Sequence, residues 1–320
     1  MQRQTLPNTD LTVSALCYGS AGFGTAVKGE ELATLINTFR DAGGNFFDTA
    51  HCYAFWAPGG DGASERALGE YFRKYGGRDE VVIATKGGHP GREGYRTVEW
   101  YLSPGRVGAD IDDSLARLGA DALDLFLLHR DDIRLPVGEI VEMLNAEIRR
   151  GRLRHIGASN WTWQRLAEAN QYAAEHGLQG FVITEPEWSL AYRNMPNETG
   201  GPSGSDLLHT PGPGDVAWYA ANHFPVMPYS STARGHFATA GQSAKEAFDN
   251  DVTRGRVQRA GALAKELGRS ANQVALAWLL GHPFPVFPIL GTTRLEHLKD
   301  ALAAAEIRLT PQQVDWLSEG

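Results

Sequence analysis

Cysteine is scarce in this chain: its 320 residues contain only two, Cys17 and Cys52. Their separation matches neither a zinc-ligand spacing nor a Cys-x-x-Cys redox pair, and one bridge would be thin support for a secreted protein. Long apolar runs are missing too. Nothing approaches the ~20 residues that cross a bilayer, and the polar start, Met1-Gln2-Arg3-Gln4, lacks the apolar segment of a signal peptide. A cytoplasmic protein with no membrane partner is the expectation. Basic residues are outnumbered, 30 Lys and Arg against 38 Asp and Glu, for a net charge of −8. That balance argues against nucleic acid as a partner. The rest is ordinary for a globular chain, 42% hydrophobic and 21% charged, with ample material for a core. No low-complexity tract or linker interrupts residues 1–320, so they read as one domain.

The stretch Asn45-Phe46-Phe47-Asp48-Thr49-Ala50-His51-Cys52-Tyr53 sets the pattern for what is present. A short apolar run ends in a carboxylate, and a phenol follows in the loop. The layout recurs at residues 81–85 before Lys86, 123–128 before His129, and 155–158 before Ser159-Asn160. It recurs again at 181–184 before Glu185 and 226–228 before Tyr229-Ser230. Short apolar runs of this kind are parallel strands buried on both faces. With residues 12–18 as the first strand and 286–289 as the last, eight strands alternate with helical stretches. The helical stretches are 32–40, 64–74 (with Ser64 as its N-terminal cap), 104–118, 137–150, 163–176, 215–221, 254–267, 272–280 and 295–304. Eight such units predict an α/β fold, a (β/α)₈ TIM barrel whose chemistry gathers at the carboxyl ends of the strands.

Three long loops, 87–103, 191–214 and 231–253, follow strand ends and are expected to form the rim; the middle one contains Gly200-Gly201-Pro202. The loop Gly19-Ser20-Ala21-Gly22-Phe23-Gly24 has the wrong spacing for a Rossmann fingerprint.

Asp48, Tyr53, Lys86 and His129 belong together chemically. A phenol of pKa ~10 is a poor proton donor at neutral pH. An adjacent ammonium pulls that value down, and a carboxylate holds the ammonium in place. A histidine on the next strand can orient a substrate carbonyl. Taken singly, each residue also has a structural reading: a cap, a loop aromatic, a surface charge, a histidine satisfied by backbone. Taken jointly, those readings must place four unrelated residues at matching strand ends by accident.

With these residues in view, the sequence resembles the aldo-keto reductase superfamily, in particular its bacterial-type members. The resemblance rests on Asp48-Thr49-Ala50 with Tyr53, Thr85-Lys86, Leu127-Leu128-His129, Gly157-Ala158-Ser159-Asn160 and Gly291-Thr292-Thr293-Arg294, in this order and over nearly the whole chain. It implies a barrel that binds NADPH in extended form across its top, with Asp48, Tyr53, Lys86 and His129 as the catalytic set and Tyr53 as proton donor. It further implies that Ser159, Asn160 and Glu185 meet the nicotinamide carboxamide and that Tyr229 stacks on its ring. Ser230, Ser231, Thr232 and Arg234 then fall on the pyrophosphate, and Gly291, Thr292, Thr293 and Arg294 on the adenosine 2′-phosphate. A guanidinium with hydroxyl neighbours suits a phosphate dianion, so NADPH is expected over NADH, with NAD still usable.

Three features depart from the family pattern. Glu185 stands where most members have glutamine, and a carboxylate cannot donate to the carboxamide oxygen. Ala301 replaces an adenine-contacting asparagine. The chain also lacks the long C-terminal loop of the mammalian branch. Trp56, Trp100, Trp188 and Tyr192, with Asp61, His89, Arg130 and Asn194, suggest a sugar- or polyol-related carbonyl substrate, although any one of the tryptophans reads equally well as filling core or loop contacts. Two alternatives differ in class. One is a nucleotide-sensing barrel with a protein partner and little turnover. The other is a metal-dependent barrel, which requires clustered ligands at several strand ends, so no metal is expected.

Overall fold

The computed structural model describes residues 1–92, 96–97, 99–194 and 208–319. Seven short parallel strands lie side by side in the order Thr184–Glu185, Leu153–Ser159, Leu123–Leu128, Val82–Gly87, Phe46–Asp48, Cys17–Gly19 and Ile289–Leu290. Val226 supplies the eighth position, with parallel bridges to Thr184 on one side and Val286 on the other. The row thereby closes into the expected barrel. Helices alternate with the strands and cover the outside. No described helix is long and apolar enough to cross a membrane.

The predicted first strand, residues 12–18, is in fact two pieces. Thr12–Ser14 pairs antiparallel with Arg3–Thr5, and only Cys17–Gly19 joins the barrel. Ser14 breaks the run: its hydroxyl donates to Leu16 O at 2.8 Å, and its N–H goes to Asn45 Oδ1 at 2.7 Å. Such local side-chain bonds compete with a strand ladder. Ser64 is not a cap either. Gly62 holds that position, and Ser64 lies in the first turn of Ala63–Tyr75 with its hydroxyl on Ser20 O at 2.8 Å. Pro104–Leu118 matches its predicted span, opened by proline and ended at Gly119 with φ 66°. A last helix, Pro311–Ser318, is capped reciprocally by Thr310 and Gln313, a signature the sequence reading passed over.

Side chains along each strand alternate between the barrel interior and the helix layer. Phe46, Val82, Ala84, Leu125, Leu127, Ile183, Met227 and Phe287 fill the interior. Phe47, Ile83, Phe126, Leu128 and Ile156 face the helices. Two residues further along the inward rows come Asp48 after Phe46, Lys86 after Ala84, His129 after Leu127, Glu185 after Ile183 and Tyr229 after Met227. A polar layer thus lies directly on top of the apolar ones, and barrel geometry gathers it at one end.

Phe47 anchors the opposite face of the strand that carries Asp48. Its ring meets Phe39 at 5.2 Å, Phe72 at 5.8 Å and Tyr18 at 6.3 Å. Phe47→Ala should cost ~3–5 kcal/mol. Urea unfolding should show a lower midpoint with an unchanged slope.

Candidate active site

Lys86 is the centre of the polar layer. Its ammonium donates to Thr49 O at 2.9 Å and to Tyr53 OH at 3.0 Å. It also forms ion pairs with Asp48 Oδ1 and, at 3.1 Å, with Glu185 Oε1. All three charged side chains are buried. Tyr53 OH makes a long contact to Asp48 Oδ2 at 3.4 Å, and its ring meets the His129 ring edge-on at 6.0 Å. The structure therefore brings the four nominated residues together and adds Glu185 to them.

That addition changes the electrostatics. Burial, then the Asp48 charge, push the Tyr53 phenol well above its usual value, and Lys86 only opposes them. The sequence argument expected the reverse, an ammonium pulling the phenol down. The reason for the difference is burial of the phenol first, with the charges of Asp48 and Glu185 adding to it against the pull of Lys86. Burial disfavours the Lys86 charge, but Asp48 and Glu185 more than offset this and hold the ammonium protonated. Burial raises the Asp48 carboxyl against the pull of Lys86. Glu185 is raised further, by burial first and by the Asp48 charge second.

Residues to which the sequence reading gave no role in the site hold this centre from behind. Ser64 Oγ meets Ser20 Oγ at 2.7 Å and Thr49 Oγ1 at 2.8 Å, and Ser20 Oγ donates to Asp48 O at 2.7 Å. Buried Glu65 accepts from Thr85 Oγ1 at 2.6 Å and pairs with Arg117 at 3.1 Å; Arg117 also donates to His51 O at 3.0 Å. These contacts pin the loop from Asp48 to Tyr53, and no local sequence signal announces them. On the other side, Cys52 Sγ lies 3.5 Å from His129 Nδ1. Cys52 and nitrogens of His89 and His129 fall within 4.8 Å of one another. Burial pushes the Cys52 thiol up to about 12. The thiol keeps its proton, and which partner donates in its contact with His129 Nδ1 depends on the imidazole tautomer.

The Aldo/keto reductase family model matches residues 15–319. The chain belongs to this family. It is 31% identical to an uncharacterized oxidoreductase, YrpG, of Bacillus subtilis, over 100% of this chain and 95% of the relative. It is 29% identical to an aryl-alcohol dehydrogenase (NADP+) of Phanerodontia chrysosporium, over 99% of this chain and 85% of the relative. Among solved structures, a thermostable aldo-keto reductase in complex with the inhibitor epalrestat superposes with a TM-score of 0.72 at 23% identity, covering 99% of both chains. That likeness concerns the fold. As an aldo-keto reductase, the chain is an oxidoreductase.

The residues nominated for the nicotinamide cluster beside Lys86. Ser159 Oγ donates to Glu185 O at 2.8 Å and accepts from Asn160 Nδ2 at 2.9 Å. Asn160, at φ 62°, accepts on Oδ1 from Tyr229 OH at 2.8 Å and from His209 N at 3.1 Å. Glu185 Oε2 is buried and has no hydrogen-bond partner among the described residues. The open group is an acceptor, Glu185 Oε2, which suits the NH₂ of a primary carboxamide, while the donors of Ser159, Asn160 and Tyr229 are engaged within the protein.

The segment after Tyr229 has a compact backbone, with positive φ at Ser230, Ala233 and Arg234. Ser231 turns inward, its hydroxyl donating to Ile289 O at 2.6 Å. It therefore ties this loop to the strand that precedes Gly291-Thr292-Thr293-Arg294. Thr232 is half-buried and Arg234 exposed. Thr292 Oγ1 accepts from Arg294 N at 3.1 Å, and the Arg294 guanidinium pairs with Glu296 at 2.7 Å, both side chains being largely exposed. An exposed pair is worth little, so Arg294 can exchange Glu296 for a phosphate.

The rim differs from expectation. Trp188 packs in the core against Trp278 at 5.4 Å and Phe284 at 6.2 Å. Asn194 holds Lys245 O and Glu246 O, and Arg130 donates to His129 O at 2.7 Å. Trp56, Trp100 and Tyr192 are exposed, and Trp56 lies 6.4 Å from the Tyr53 ring. Gly200-Gly201-Pro202 lies outside the described residues.

Glu185 binds its proton more tightly in the folded chain than at its ordinary value of 4.5. A raised folded-state value makes stability fall as pH rises above the unfolded value. The stability of Glu185→Gln relative to the wild type should therefore rise from pH 5 to pH 8, by up to ~1.4 kcal/mol per unit. Denaturant unfolding across that range checks it.

Proposed function

We propose that the protein interconverts a small carbonyl compound and its alcohol with NADPH, Tyr53 exchanging the hydroxyl proton. The observation that carries this reading is the 3.0 Å contact of Lys86 with a buried Tyr53, made while Lys86 is held by Asp48. When bound, the nicotinamide supplies or accepts hydride.

The chain's own residues do the rest. His129, its Nδ1 engaged by Cys52, presents the opposite nitrogen to a carbonyl oxygen and orients it. Tyr53 donates to that oxygen as negative charge builds on it. Its proton is firmly held at rest, so transfer is driven by the much more basic alkoxide, and the Lys86 ammonium stabilises the phenolate left behind. Asp48 keeps the ammonium charged and in place. Tyr229, fixed through Asn160, offers the flat face against which a nicotinamide ring lies, and Ser159, Asn160 and Glu185 take its carboxamide. The loop from Ser230 to Arg234 offers backbone N–H groups and a cation to the pyrophosphate. Arg294 with Thr292 and Thr293 receives the 2′-phosphate, which favours NADPH over NADH.

For the substrate, the exposed ring of Trp56 beside Tyr53 favours an aryl-bearing aldehyde or ketone over a polyol. Engagement of Asn194 and Arg130 in backbone contacts removes two of the groups nominated for hydroxyl recognition. The relative named an aryl-alcohol dehydrogenase points the same way. A panel of substituted benzaldehydes and open-chain sugars tests the choice. Measurable NADPH oxidation also separates an enzyme from a nucleotide sensor.

Tyr53→Phe should lower kcat by at least ~10²–10⁴-fold while the NADPH dissociation constant, read by fluorescence titration, changes little. Retained turnover would remove Tyr53 from its role. Arg294→Ala should raise KM for NADPH by ~10-fold or more, the worth of a charge-assisted contact, and leave KM for NADH nearly unchanged. Equal shifts would reject the phosphate assignment.

A further inference from the structure

Charge counting at the centre of the site gives one cation for two carboxylates. Lys86 faces both Asp48 and Glu185, all three are buried, and Glu185 Oε2 is left without a partner. The other titratable groups that bear on Glu185 or feel its charge are Tyr53 on the loop after Asp48, Tyr229 after the next strand, and Cys17 on the first barrel strand. Burial raises all three, so they stay neutral and cannot balance a carboxylate. Arg130 is the remaining cation, and its influence on Glu185 is the smallest of those acting. With Asp48 ionised, the cluster is neutral if Glu185 keeps its proton and carries one negative charge if it does not. Burying an unbalanced charge is costly.

The cofactor changes this count. The reduced nicotinamide ring is neutral and the oxidised ring carries a positive charge. We propose that Glu185 exchanges one proton with solvent according to the oxidation state of the bound cofactor, keeping it beside NADPH and releasing it when NADP+ binds. This rests on the placement of the nicotinamide given above. In each state the cluster is then neutral: Asp48 with Lys86 beside the reduced ring, and Asp48 and Glu185 with Lys86 and the ring cation beside the oxidised one. The exchange balances as carboxyl plus NADP+ giving carboxylate, bound NADP+ and one proton in water. No bond to the cofactor forms. The usual glutamine cannot make this exchange, so Glu185 becomes a pH-dependent selector between the two cofactor forms, and rising pH favours the oxidised form and alcohol oxidation.

The test is a proton count on the full-length protein. NADP+ and, separately, NADPH are mixed with excess wild type or Glu185→Gln in weak buffer containing a pH indicator, between pH 7 and 8. Comparing the two nucleotides cancels any proton exchanged by their shared 2′-phosphate. The expected result is a release of close to one more proton for NADP+ than for NADPH in the wild type, and no such difference in the variant. In parallel, the dissociation constant for NADP+ relative to NADPH should fall by up to ~10-fold per pH unit in the wild type, and stay flat in Glu185→Gln. If the wild type releases equal protons with both nucleotides, or if the variant matches a positive wild type, the proposal is overturned. If Glu185→Gln does not fold, the wild-type difference between nucleotides decides alone. A wild type that binds neither nucleotide overturns the cofactor reading itself, a distinct result.

Discussion

Everything at the top of this barrel is arranged around one buried ammonium. Lys86 is fully enclosed, and a cation in that position persists only if its charge is answered nearby. Asp48 and Glu185 answer it from two other strands, Tyr53 and the Thr49 carbonyl complete its donors, and the loop joining Asp48 to Tyr53 is pinned by Ser20, Ser64, Glu65 and Arg117. The barrel supplies the geometry that lets this happen. Five inward rows of apolar side chains end in a polar residue, and closure of the sheet brings Asp48 and Glu185 within reach of Lys86.

Burial is the first reason why Tyr53 is a held donor at rest, and the charges of Asp48 and Glu185 add to it against the pull of Lys86. Such a site does not ionise its tyrosine beforehand. In the proposed mechanism the proton moves in response to charge developing on a substrate oxygen, as a preorganised site favours.

Around this centre, contacts between neighbouring side chains fix orientation. Tyr229 is locked to Asn160, Asn160 to Ser159 and His209, and Ser159 to the backbone of Glu185. His129 is met by Cys52 on one nitrogen and by the His89 ring at 4.8 Å. A chain of this kind leaves little rotational freedom for the groups proposed to face a cofactor and a carbonyl, which is where catalysis by alignment would be gained. Arg294, by contrast, sits exposed on a weak pair with Glu296 that is easily exchanged.

The one-dimensional pattern was enough for the barrel, for the strand-end positions of Asp48, Lys86, His129, Glu185 and Tyr229, and for the family. Each of these follows from periodicity and order along the chain, which are local properties. It misjudged residues 12–18 because Ser14 meets Asn45, a partner 31 positions away. It placed Trp188 on the rim because an indole reads the same in sequence whether it packs or is exposed. Above all, it could name an ammonium and a phenol but not the direction in which the phenol moves. That direction is a balance between burial and the distances from one cation to two carboxylates, Asp48 and Glu185, which stand 137 residues apart in the chain and meet only when the sheet closes.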